Sequence, residues 1–402
     1  MKKHVLIILD GAADLTKVNG KTPLQTASTP NIDFITRMGF TGLLKTLHKN
    51  LPKGSIVALL GILGFDPKKF YPHGRASCEA KALDIDLNKG DLAFRTNLAC
   101  IENNILTSYN ANYIKDVQAS KLIDLLNKNL KNKFSDFELY HNSDFRNTLI
   151  IRNANVHPLN LVCPEPHENM GEEFILSELI KGLDNKSKII ASKINSYISQ
   201  SAEILKNKRA NVIIPWSPSS PLHLPRFSLL KKGKCGIITH MDFLQGIAKA
   251  SGLDCFKMGN GNWNTDYNGK GSKLVDLLDQ DYHFIICHIN APDEASHMGD
   301  IKKKIYSIEQ IDKYIVSKVI KYFKNNPKEF GSVIITTDHY TNTFIKNESS
   351  RRRESHSIGP VPFVIWNNVY EDDVSHFSEV DMLQGKYADP PINNVNLLKF
   401  IN

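Results

Sequence analysis

Short, unbroken runs of apolar residues recur towards both ends of the chain, and each gives way abruptly to polar residues. Runs of this length predict strands that are buried on both faces. Between them lie stretches with helical apolar spacing, and this alternation predicts an α/β fold around a parallel sheet. The predicted strands are residues 5–9, 236–239, 284–288, 333–337 and 361–366, and the predicted helices are residues 30–38, 56–63, 243–250 and 305–322.

The middle of the chain has a different texture, in which short strand-like and helical pieces alternate. The predicted strands there are residues 92–95 and 148–152, and the predicted helices are residues 119–130, 172–183 and 193–206. Residues 215–225, rich in proline and serine, are predicted to carry the chain back to the sheet. We therefore predict one domain formed by residues 1–72 and 232–402, and an inserted α+β domain formed by residues 73–231.

Polar residues suited to metal binding stand beside several predicted strands. Asp338 and His339 directly follow residues 333–337, and carboxylate oxygen and neutral imidazole are both good ligands for Zn or Mn. Taken alone, this pair does not outweigh an ordinary polar turn after a strand. Acids and imidazoles recur beside three other predicted strands, and a metal site at one edge of a parallel sheet explains this better than unrelated turns do. These further candidates are Asp10, Asp293, His297 and His356.

The number of candidate ligands indicates more than one ion. One divalent ion rarely needs six protein ligands, whereas two ions about 4 Å apart would use them all and would clamp a phosphoryl group. Ser55 is the candidate nucleophile, because it follows Gly54 at the start of an apolar helix whose free N–H groups suit a phosphate. The same position fits a plain N-cap serine equally well.

Composition and charge narrow the class of protein. The chain has 402 residues, of which 41% are hydrophobic and 23% are charged, which is enough for two globular domains with cores of their own. The net charge of +8 is modest and the basic residues are dispersed, so the sequence does not favour nucleic-acid binding. A run of arginines at residues 351–353 is interpreted as a solvated loop.

Neither export nor membrane insertion is predicted. The apolar start of the chain stops at Asp10, too early for a signal peptide, and the apolar residues 56–65 are too few to span a membrane. The six cysteines have neither CxxC spacing nor the spacing of a disulfide scaffold. We therefore expect a soluble, cytoplasmic protein with reduced thiols and no membrane partner. Nothing in the sequence indicates an oligomeric state.

A series of short motifs stands in order along nearly the whole chain: Leu9-Asp10-Gly11, Gly20-Lys21-Thr22-Pro23-Leu24, Thr29-Pro30-Asn31-Ile32-Asp33, Gly54-Ser55, Leu63-Gly64-Phe65-Asp66-Pro67, residues 291–300 and Asp338-His339. Together these motifs resemble the cofactor-independent phosphoglycerate mutases of the archaeal type, within the alkaline phosphatase superfamily. Residues 215–218 and 264–267 are similar to the bacterial branch of this group, some of whose members have been proposed to be homoserine kinases.

The resemblance implies an alkaline-phosphatase-like catalytic domain with two divalent ions, Mn or Zn with Mg or Co as alternatives, and an inserted substrate-binding domain. It implies that Ser55 is transiently phosphorylated and also ligates a metal ion. The small phosphorylated substrate would be 2- or 3-phosphoglycerate, interconverted in glycolysis without bisphosphoglycerate as a cofactor. The ligands implied are Asp10, Ser55, Asp338 and His339 for one ion, and Asp293, His297 and His356 for the other.

Four residues of the inserted domain fall at positions similar to those of the family. Arginine binds carboxylate and phosphate bidentately, so the resemblance makes them candidates for contacts with the substrate. The chain departs from the family pattern at Ile56, where an acidic residue usually follows the nucleophile. All the metal-site residues are kept, so the departures bear on the substrate rather than on metal-dependent phosphoryl chemistry. The four candidates are Arg75, Arg95, Arg146 and His167.

Three other functions stay open on the sequence alone. A phosphotransferase could act on another small acceptor such as homoserine, although residues 268–272 lack the glycine and Ser/Thr positions of a nucleotide-binding loop. A phosphatase or phosphodiesterase of the same superfamily would use the same ligands. A non-enzymatic relative could bind a phosphorylated metabolite, but the intact Ser55 and the full ligand set count against it.

Overall fold

The computed structural model describes residues 1–343 and 356–401, and the arginine run at residues 351–353 lies outside them. The strands of the described residues are β1 (Lys3–Leu9), β2 (Phe40–Lys45), β3 (Leu92–Glu102), β4 (Ile105–Ser108), β5 (Phe137–Ser143), β6 (Arg146–Ile151), β7 (Leu161–Val162), β8 (Lys181–Gly182), β9 (Val212–Ser219), β10 (Lys234–Thr239), β11 (Asp254–Lys257), β12 (Tyr282–Ile289), β13 (Phe330–Thr337), β14 (Tyr340–Thr341), β15 (His356–Ser357), β16 (Val361–Trp366) and β17 (Tyr387–Asn393).

The α-helices of the same residues are α1 (Pro23–Thr26), α2 (Pro30–Arg37), α3 (Ser55–Ile62), α4 (Pro67–Phe70), α5 (Ala76–Ala82), α6 (Asp116–Leu130), α7 (Asn185–Leu205), α8 (Asp242–Ser251), α9 (Tyr267–Asp279), α10 (Ala291–His297), α11 (Ile301–Ile311) and α12 (Ser317–Asn325). A π-helical turn, Asp312–Val316, joins α11 to α12. Among these residues, we find no helix with the length and apolar character that crossing a bilayer requires.

The chain divides into two compact units. The first comprises Met1–Tyr71 and Leu224–Asn402, and the second comprises Pro72–His223, so the second is inserted into the sequence of the first. The assignment of metal binding to one domain and substrate binding to the other stays a prediction.

The first unit is built around an eight-stranded sheet in the order β11-β10-β12-β1-β13-β16-β2-β17. Strands β11, β10, β12, β1 and β13 run parallel to one another, whereas β16 is antiparallel to both of its neighbours. Strand β1 is buried along its whole length, as expected of a parallel strand covered on both faces. The predicted fold class, α/β with a mostly parallel sheet flanked by helices, is confirmed.

Apolar side chains of the helices pack on the strands of this sheet in one large cluster. Val5 and Ile7 of β1 belong to it, together with Ile35 of α2, Leu277 of α9 and Ile308 of α11. Each of these side chains is fully buried, and burial of apolar surface is the main favourable term in folding. The packed helices therefore hold the strand ends in fixed relative positions.

The second unit has a sheet and a core of its own. Strands β3, β4, β5, β6 and β9 form an antiparallel sheet, in which β3 is long enough to pair with three neighbours. Helices α6 and α7 contribute Leu126 and Ile194 to a buried apolar cluster with Leu149 of β6. An antiparallel sheet covered by helices is the α+β organisation that the sequence predicts for this region.

The helix predicted at residues 172–183 is wrong, because the backbone there bonds to neighbouring segments instead of to itself. Phe174 N donates to Asn104 O at 2.6 Å. The side chain of Asn195 bonds both the N–H and the carbonyl of Ile180, each at 2.9 Å. Such long-range partners outweigh the weak local preference for helix.

The connection predicted at residues 215–225 is wrong in its first half. Strand β9 occupies this part and pairs antiparallel with β3, with Pro215 opposite Thr96. Proline has no N–H to donate, but β9 has a single neighbour among the described strands and is an edge strand, where proline is tolerated.

Two buried histidines meet near the start of neighbouring strands β1 and β12. His4 is 3% exposed and His283 is 5% exposed, and their ring centroids lie 4.9 Å apart in an edge-to-face arrangement. The Nδ1 atoms lie 2.8 Å from Ser332 Oγ and from Lys2 O, respectively. Burial, together with the neighbouring imidazole, lowers the pKa of His4 to about 4.

We predict that His4→Gln weakens the fall of the unfolding free energy as the pH is lowered from 7 to 5. The pKa of His4 is about 4 in the fold and 6.5 without it, so the unfolded chain takes up the proton first. The contribution of the neutral, buried His4 to the unfolding free energy is fully present above pH 6.5 and is lost as the pH falls through 4. Between pH 7 and pH 5, the unfolding free energy of the wild type should fall by about 2 kcal/mol more than that of the variant. Urea unfolding measures both, and parallel pH profiles would contradict the prediction.

Candidate active site

The ends of two neighbouring parallel strands bring the first candidates together. Strands β1 and β13 pair in register up to Leu9 and Thr337. Asp10 and Asp338 are the next residues, so the register places both carboxylates at the carboxyl edge of the sheet. Asp10 is 1% exposed and Asp338 is fully buried. Gly11 N donates to Asp338 Oδ1 at 2.9 Å, which fixes one of the two carboxylates.

Ser55 lies against this edge as the first residue of α3, and it is buried. Its Oγ lies 3.0 Å from His339 Nε2 and 3.4 Å from Asp10 Oδ1. His339 Nε2 also lies 3.4 Å from Asp10 Oδ1 and 3.3 Å from Asp338 Oδ2. The residue that caps α3 is Gly54, so the reading of Ser55 as a plain N-cap serine is wrong.

Three further candidates form a group beside the first. Asp293 and His297 are one turn apart on α10, with Oδ2 and Nε2 3.3 Å from each other. His356 Nε2 lies 3.5 Å from Asp293 Oδ1, and its ring centroid is 4.4 Å from that of His339. The structure thus gathers all the predicted metal ligands in one place. The ligand cluster, as we name it, comprises Asp10, Ser55, Asp293, His297, Asp338, His339 and His356.

Thr341 links the two groups, although it was not among the predicted residues. Its hydroxyl donates to Asp293 Oδ1 at 2.6 Å and lies 3.0 Å from His339 Nδ1. Because the single hydroxyl proton goes to the carboxylate, His339 must donate from Nδ1 and carry its lone pair on Nε2. The lone pair therefore faces Ser55 and Asp10, in the tautomer that a metal-binding imidazole uses.

The surroundings of the acids set their protonation. Burial, followed by the negative charge of Asp10, raises the pKa of Asp338 well above its usual range. Burial would also raise the pKa of Asp293, but the close contacts with the imidazoles of His297 and His356 outweigh it and hold that pKa well below its usual range. The hydrogen bond with Asp293 raises the pKa of His297, whereas burial lowers the pKa of His339 to about 4.

The ligand cluster fits divalent cations. Donor atoms of Asp10, Asp338 and His339 lie within 4.8 Å of one another, and so do those of Asp293, His339 and His356. Asp338 Oδ2 and His356 Nε2 are buried without a hydrogen-bond partner among the described residues. Asp338 Oδ2 lies 3.3 Å from His339 Nε2, and His356 Nε2 lies 3.5 Å from Asp293 Oδ1, but neither contact is a hydrogen bond. Buried polar atoms left in this way are unfavourable, and a cation would satisfy both.

The predicted substrate contacts lie in the second unit, where two of them share one aromatic neighbour. Arg95 Nε lies 3.2 Å from a carboxylate oxygen of Glu79, and the guanidinium is 4.5 Å from the centre of the Trp216 ring. The His167 ring is centred 5.3 Å from the same indole. Trp216 therefore connects Arg95 to His167.

The other two candidates are placed separately. The Arg146 guanidinium lies 4.3 Å from the centre of the Phe145 ring. The Tyr109 ring is centred 5.8 Å from Phe145 and 6.4 Å from His167, so ring contacts continue from Arg146 towards His167. Arg75 is the N-cap residue of α5.

His288 is a second residue near the ligand cluster that sequence reasoning missed. It is fully buried at the end of β12, and its Nε2 lies 3.1 Å from Asp10 Oδ2. The strand-end pattern that identified Asp10 applies equally to His288, so a signal for it existed. Thr341 carries no such signal, because its contact with Asp293 joins residues 48 apart and depends on the fold.

Comparison with known proteins gives matches along nearly the whole chain. A family model described as 2,3-bisphosphoglycerate-independent phosphoglycerate mutase matches residues 36–211. A protein of that name from Methanosarcina barkeri is 33% identical over 404 aligned residues, which cover 95% of each chain. The 2,3-bisphosphoglycerate-independent phosphoglycerate mutase 2 of Methanothermobacter thermautotrophicus is 30% identical, over 95% of this chain and 93% of its own.

Solved structures share the fold. A protein from Pyrococcus horikoshii aligns with a TM-score of 0.75 and 25% identity, over 100% of this chain and 96% of its own. The cofactor-independent phosphoglycerate mutase from Thermoplasma acidophilum aligns with a TM-score of 0.64 and 23% identity, over 100% of this chain and 99% of its own.

We predict that Gly11→Ala disturbs metal binding, whereas Gly20→Ala does not. Gly11 has φ of +59°, and a Cβ there would lie 2.5 Å from Thr341 Oγ1 and 2.6 Å from Asp293 Oδ1. Gly20 has φ of +78° but open space around it, so Gly20→Ala is a matched control that carries the backbone strain without the clash.

We expect Gly20→Ala to lower the unfolding free energy by roughly 1–2 kcal/mol and to keep the Mn²⁺ affinity of the wild type. Gly11→Ala should weaken Mn²⁺ binding by at least about tenfold, because the clash displaces a ligand and its partner. Calorimetric titration of metal-stripped protein measures the affinities. Equal Mn²⁺ affinity in the two variants would contradict the prediction.

Proposed function

Because the chain belongs to the family of 2,3-bisphosphoglycerate-independent phosphoglycerate mutases, which are isomerases, we propose that it interconverts 2-phosphoglycerate and 3-phosphoglycerate through a phosphoserine at Ser55. The observation that carries this proposal is the position of Ser55 Oγ, 3.0 Å from His339 Nε2 and 3.4 Å from Asp10 Oδ1. A buried hydroxyl among carboxylates and imidazoles, at the start of a helix, suits a nucleophile towards phosphate.

The ligand cluster would hold two divalent cations, with Mn and Zn favoured by its carboxylate and imidazole donors. Bound there, such cations lower the pKa of the serine hydroxyl and neutralise charge on the transferring phosphoryl group. Asp338 must be ionised to serve as a ligand, although burial raises its pKa. The proposed ligands are Asp10, Ser55, Asp338 and His339 at one site and Asp293, His297 and His356 at the other.

The isomerisation takes two transfers through the same hydroxyl. In the first, Ser55 Oγ forms a bond to phosphorus while the bond from phosphorus to one glycerate oxygen breaks, and the serine proton passes to that oxygen. In the second, the other glycerate hydroxyl attacks the phosphoserine and its proton returns to Ser55. Atoms and charge balance over the two steps, so no external phosphoryl donor is needed.

The chain around Ser55 prepares the hydroxyl for this role. Asp10 and His339 orient it, and Thr341 keeps the lone pair of His339 turned towards it. The first N–H groups of α3 and the helix dipole favour the negative charge of a phosphoserine. Ile56, where the family usually has an acid, is 4% exposed, so this departure puts a buried apolar side chain directly after Ser55 in place of a charge.

We propose further that the second unit supplies the contacts that retain glycerate between the two transfers. Stacking on Trp216 and the contact with Glu79 hold the Arg95 guanidinium in a defined plane, which suits bidentate binding of a carboxylate or phosphate. Water must be excluded meanwhile, because hydrolysis of the phosphoserine would turn the mutase into a phosphatase. The proposed substrate contacts are Arg75, Arg95, Arg146 and His167.

We predict that Ser55→Ala abolishes both phosphoenzyme formation and mutase activity. With Mn²⁺ and 3-phosphoglycerate, an enolase-coupled assay should show activity at least about 1,000-fold below that of the wild type, because the covalent route is lost. Mass spectrometry should find a phosphoryl group on Ser55 in the wild type only. Ser251→Ala is the matched control, since Ser251 is a buried serine of α8 whose hydroxyl bonds the helix carbonyls.

A phosphoryl group found on a residue other than Ser55 would contradict the proposed phosphoserine. Release of inorganic phosphate without isomerisation would identify a phosphatase instead, and phosphorylation of homoserine by ATP would identify the alternative transferase. Full activity after exhaustive chelation would contradict the metal requirement.

We predict that Arg95→Lys raises the KM for 3-phosphoglycerate by roughly tenfold, because lysine loses the bidentate geometry. Arg152→Lys is the matched control in the same unit, since Arg152 is engaged with Asp91 and Glu138. The control should lower thermal stability and leave KM unchanged. Steady-state kinetics measures KM and thermal unfolding measures the stability of both variants. An unchanged KM for Arg95→Lys would contradict a substrate contact by Arg95.

A further inference from the structure

A row of three polar side chains crosses the carboxyl edge of the sheet beside the ligand cluster. Thr239 ends β10, His288 lies near the end of β12 and Asp10 follows β1, and these three strands are neighbours. We propose that His288 is a positioning residue, which holds Asp10 in the orientation that cation binding requires. The inference rests on the proposed function, because it takes Asp10 to be a metal ligand.

Short contacts connect the row. His288 Nε2 lies 3.1 Å from Asp10 Oδ2, and His288 Nδ1 lies 3.4 Å from Thr239 Oγ1. Thr239 Oγ1 in turn accepts a hydrogen bond from Met241 N at 3.1 Å. The other carboxylate oxygen, Asp10 Oδ1, faces Ser55 Oγ at 3.4 Å. The two oxygens of Asp10 are therefore turned to different partners, one to His288 and the other to the nucleophile.

The contact with Asp10 favours one tautomer of His288, and the Thr239 hydroxyl is compatible with it. If the proton were on Nδ1, the Nε2 lone pair would face a carboxylate oxygen at 3.1 Å, which is repulsive. Thr239 already accepts from a backbone N–H, so its own hydroxyl proton is available to the Nδ1 lone pair. His288 then carries its proton on Nε2 and presents a donor to Asp10.

His288 Nε2 makes no hydrogen bond with the described residues, although Asp10 Oδ2 lies only 3.1 Å from it. The terminal torsion of an aspartate is broad, so a small rotation of Asp10 aligns its oxygen with the N–H. A buried N–H without an acceptor is unfavourable, which gives His288 a reason to bind this carboxylate.

Positioning fits His288 better than direct ligation does. Its Nε2 faces Asp10 Oδ2, whereas Ser55 and His339 approach Asp10 Oδ1. The residue is also rigidly held, since it is fully buried and the buried Lys270 Nζ donates to its backbone carbonyl at 3.1 Å. A fixed donor behind a ligand carboxylate restricts the carboxylate to one orientation and so favours cation binding.

The test compares His288→Leu, which removes the donor, with His288→Gln, which keeps an amide donor near the position of Nε2. His283→Leu is the matched control, because it removes another buried imidazole from the same strand, outside the ligand cluster. Mn²⁺ affinity and stoichiometry are measured by calorimetry and elemental analysis on metal-stripped protein. Thermal unfolding of the metal-free variants reports any general loss of structure.

We expect His288→Leu to weaken Mn²⁺ binding by about 10- to 100-fold, His288→Gln to stay within roughly threefold of the wild type, and His283→Leu to bind as the wild type does. Equal weakening in both His288 variants with one Mn²⁺ lost would make His288 a ligand and overturn the inference. So would unchanged Mn²⁺ affinity in His288→Leu, whatever its thermal stability. A wild type that binds no Mn²⁺ would overturn the proposed function as well, so the two failures are distinguishable.

Discussion

Two carboxylates that lie side by side without access to water form the constraint on which the site depends. Asp10 and Asp338 follow adjacent strands and are at most 1% exposed. Gly11 N–H and His288 offer hydrogen-bond donors to one oxygen of each, which leaves the others facing the ligand cluster. Buried like charges are unfavourable unless cations or donors compensate them. Bound cations would therefore stabilise the folded state as well as supply chemistry.

A second buried charge network holds the loops behind the ligand cluster. Lys304 is fully buried, and its Nζ lies 3.0 Å from Asp14 Oδ2 and 2.8 Å from the Thr341 carbonyl oxygen. Asp14 also accepts from Thr343 Oγ1 at 2.7 Å, and its N–H donates to Glu379 at 2.8 Å. Removing one member of such a network typically costs about 3–5 kcal/mol, because a charge is left unpaired. Thr341 joins this network to the ligand cluster, because its carbonyl accepts from Lys304 and its hydroxyl contacts Asp293 and His339.

The main strands of the sheet and the polar candidates at their ends could be predicted because a parallel sheet obeys a simple rule. Its strands are buried on both faces, so they are read as apolar runs, and their carboxyl ends meet at one edge. The prediction of secondary structure failed where hydrogen bonds to distant residues determine the backbone conformation. Residues 172–183 bond to β4 and Asn195, and Pro215 sits in an edge strand that only the pairing with β3 reveals.

The orientation of the candidate ligands could not be predicted, because it depends on contacts across the sheet. The rule for strand ends places His339 and His288 at the edge, but it does not say which nitrogen carries the proton. Thr341 decides this for His339, whereas the carboxylate of Asp10, which comes from a different strand, favours the proton on Nε2 of His288. Lone pairs must face a cation for an imidazole to bind it, and a donor must face a carboxylate to hold it. The sequence thus suggests which residues are candidate ligands, whereas the fold determines whether their lone pairs and donors face the right partners.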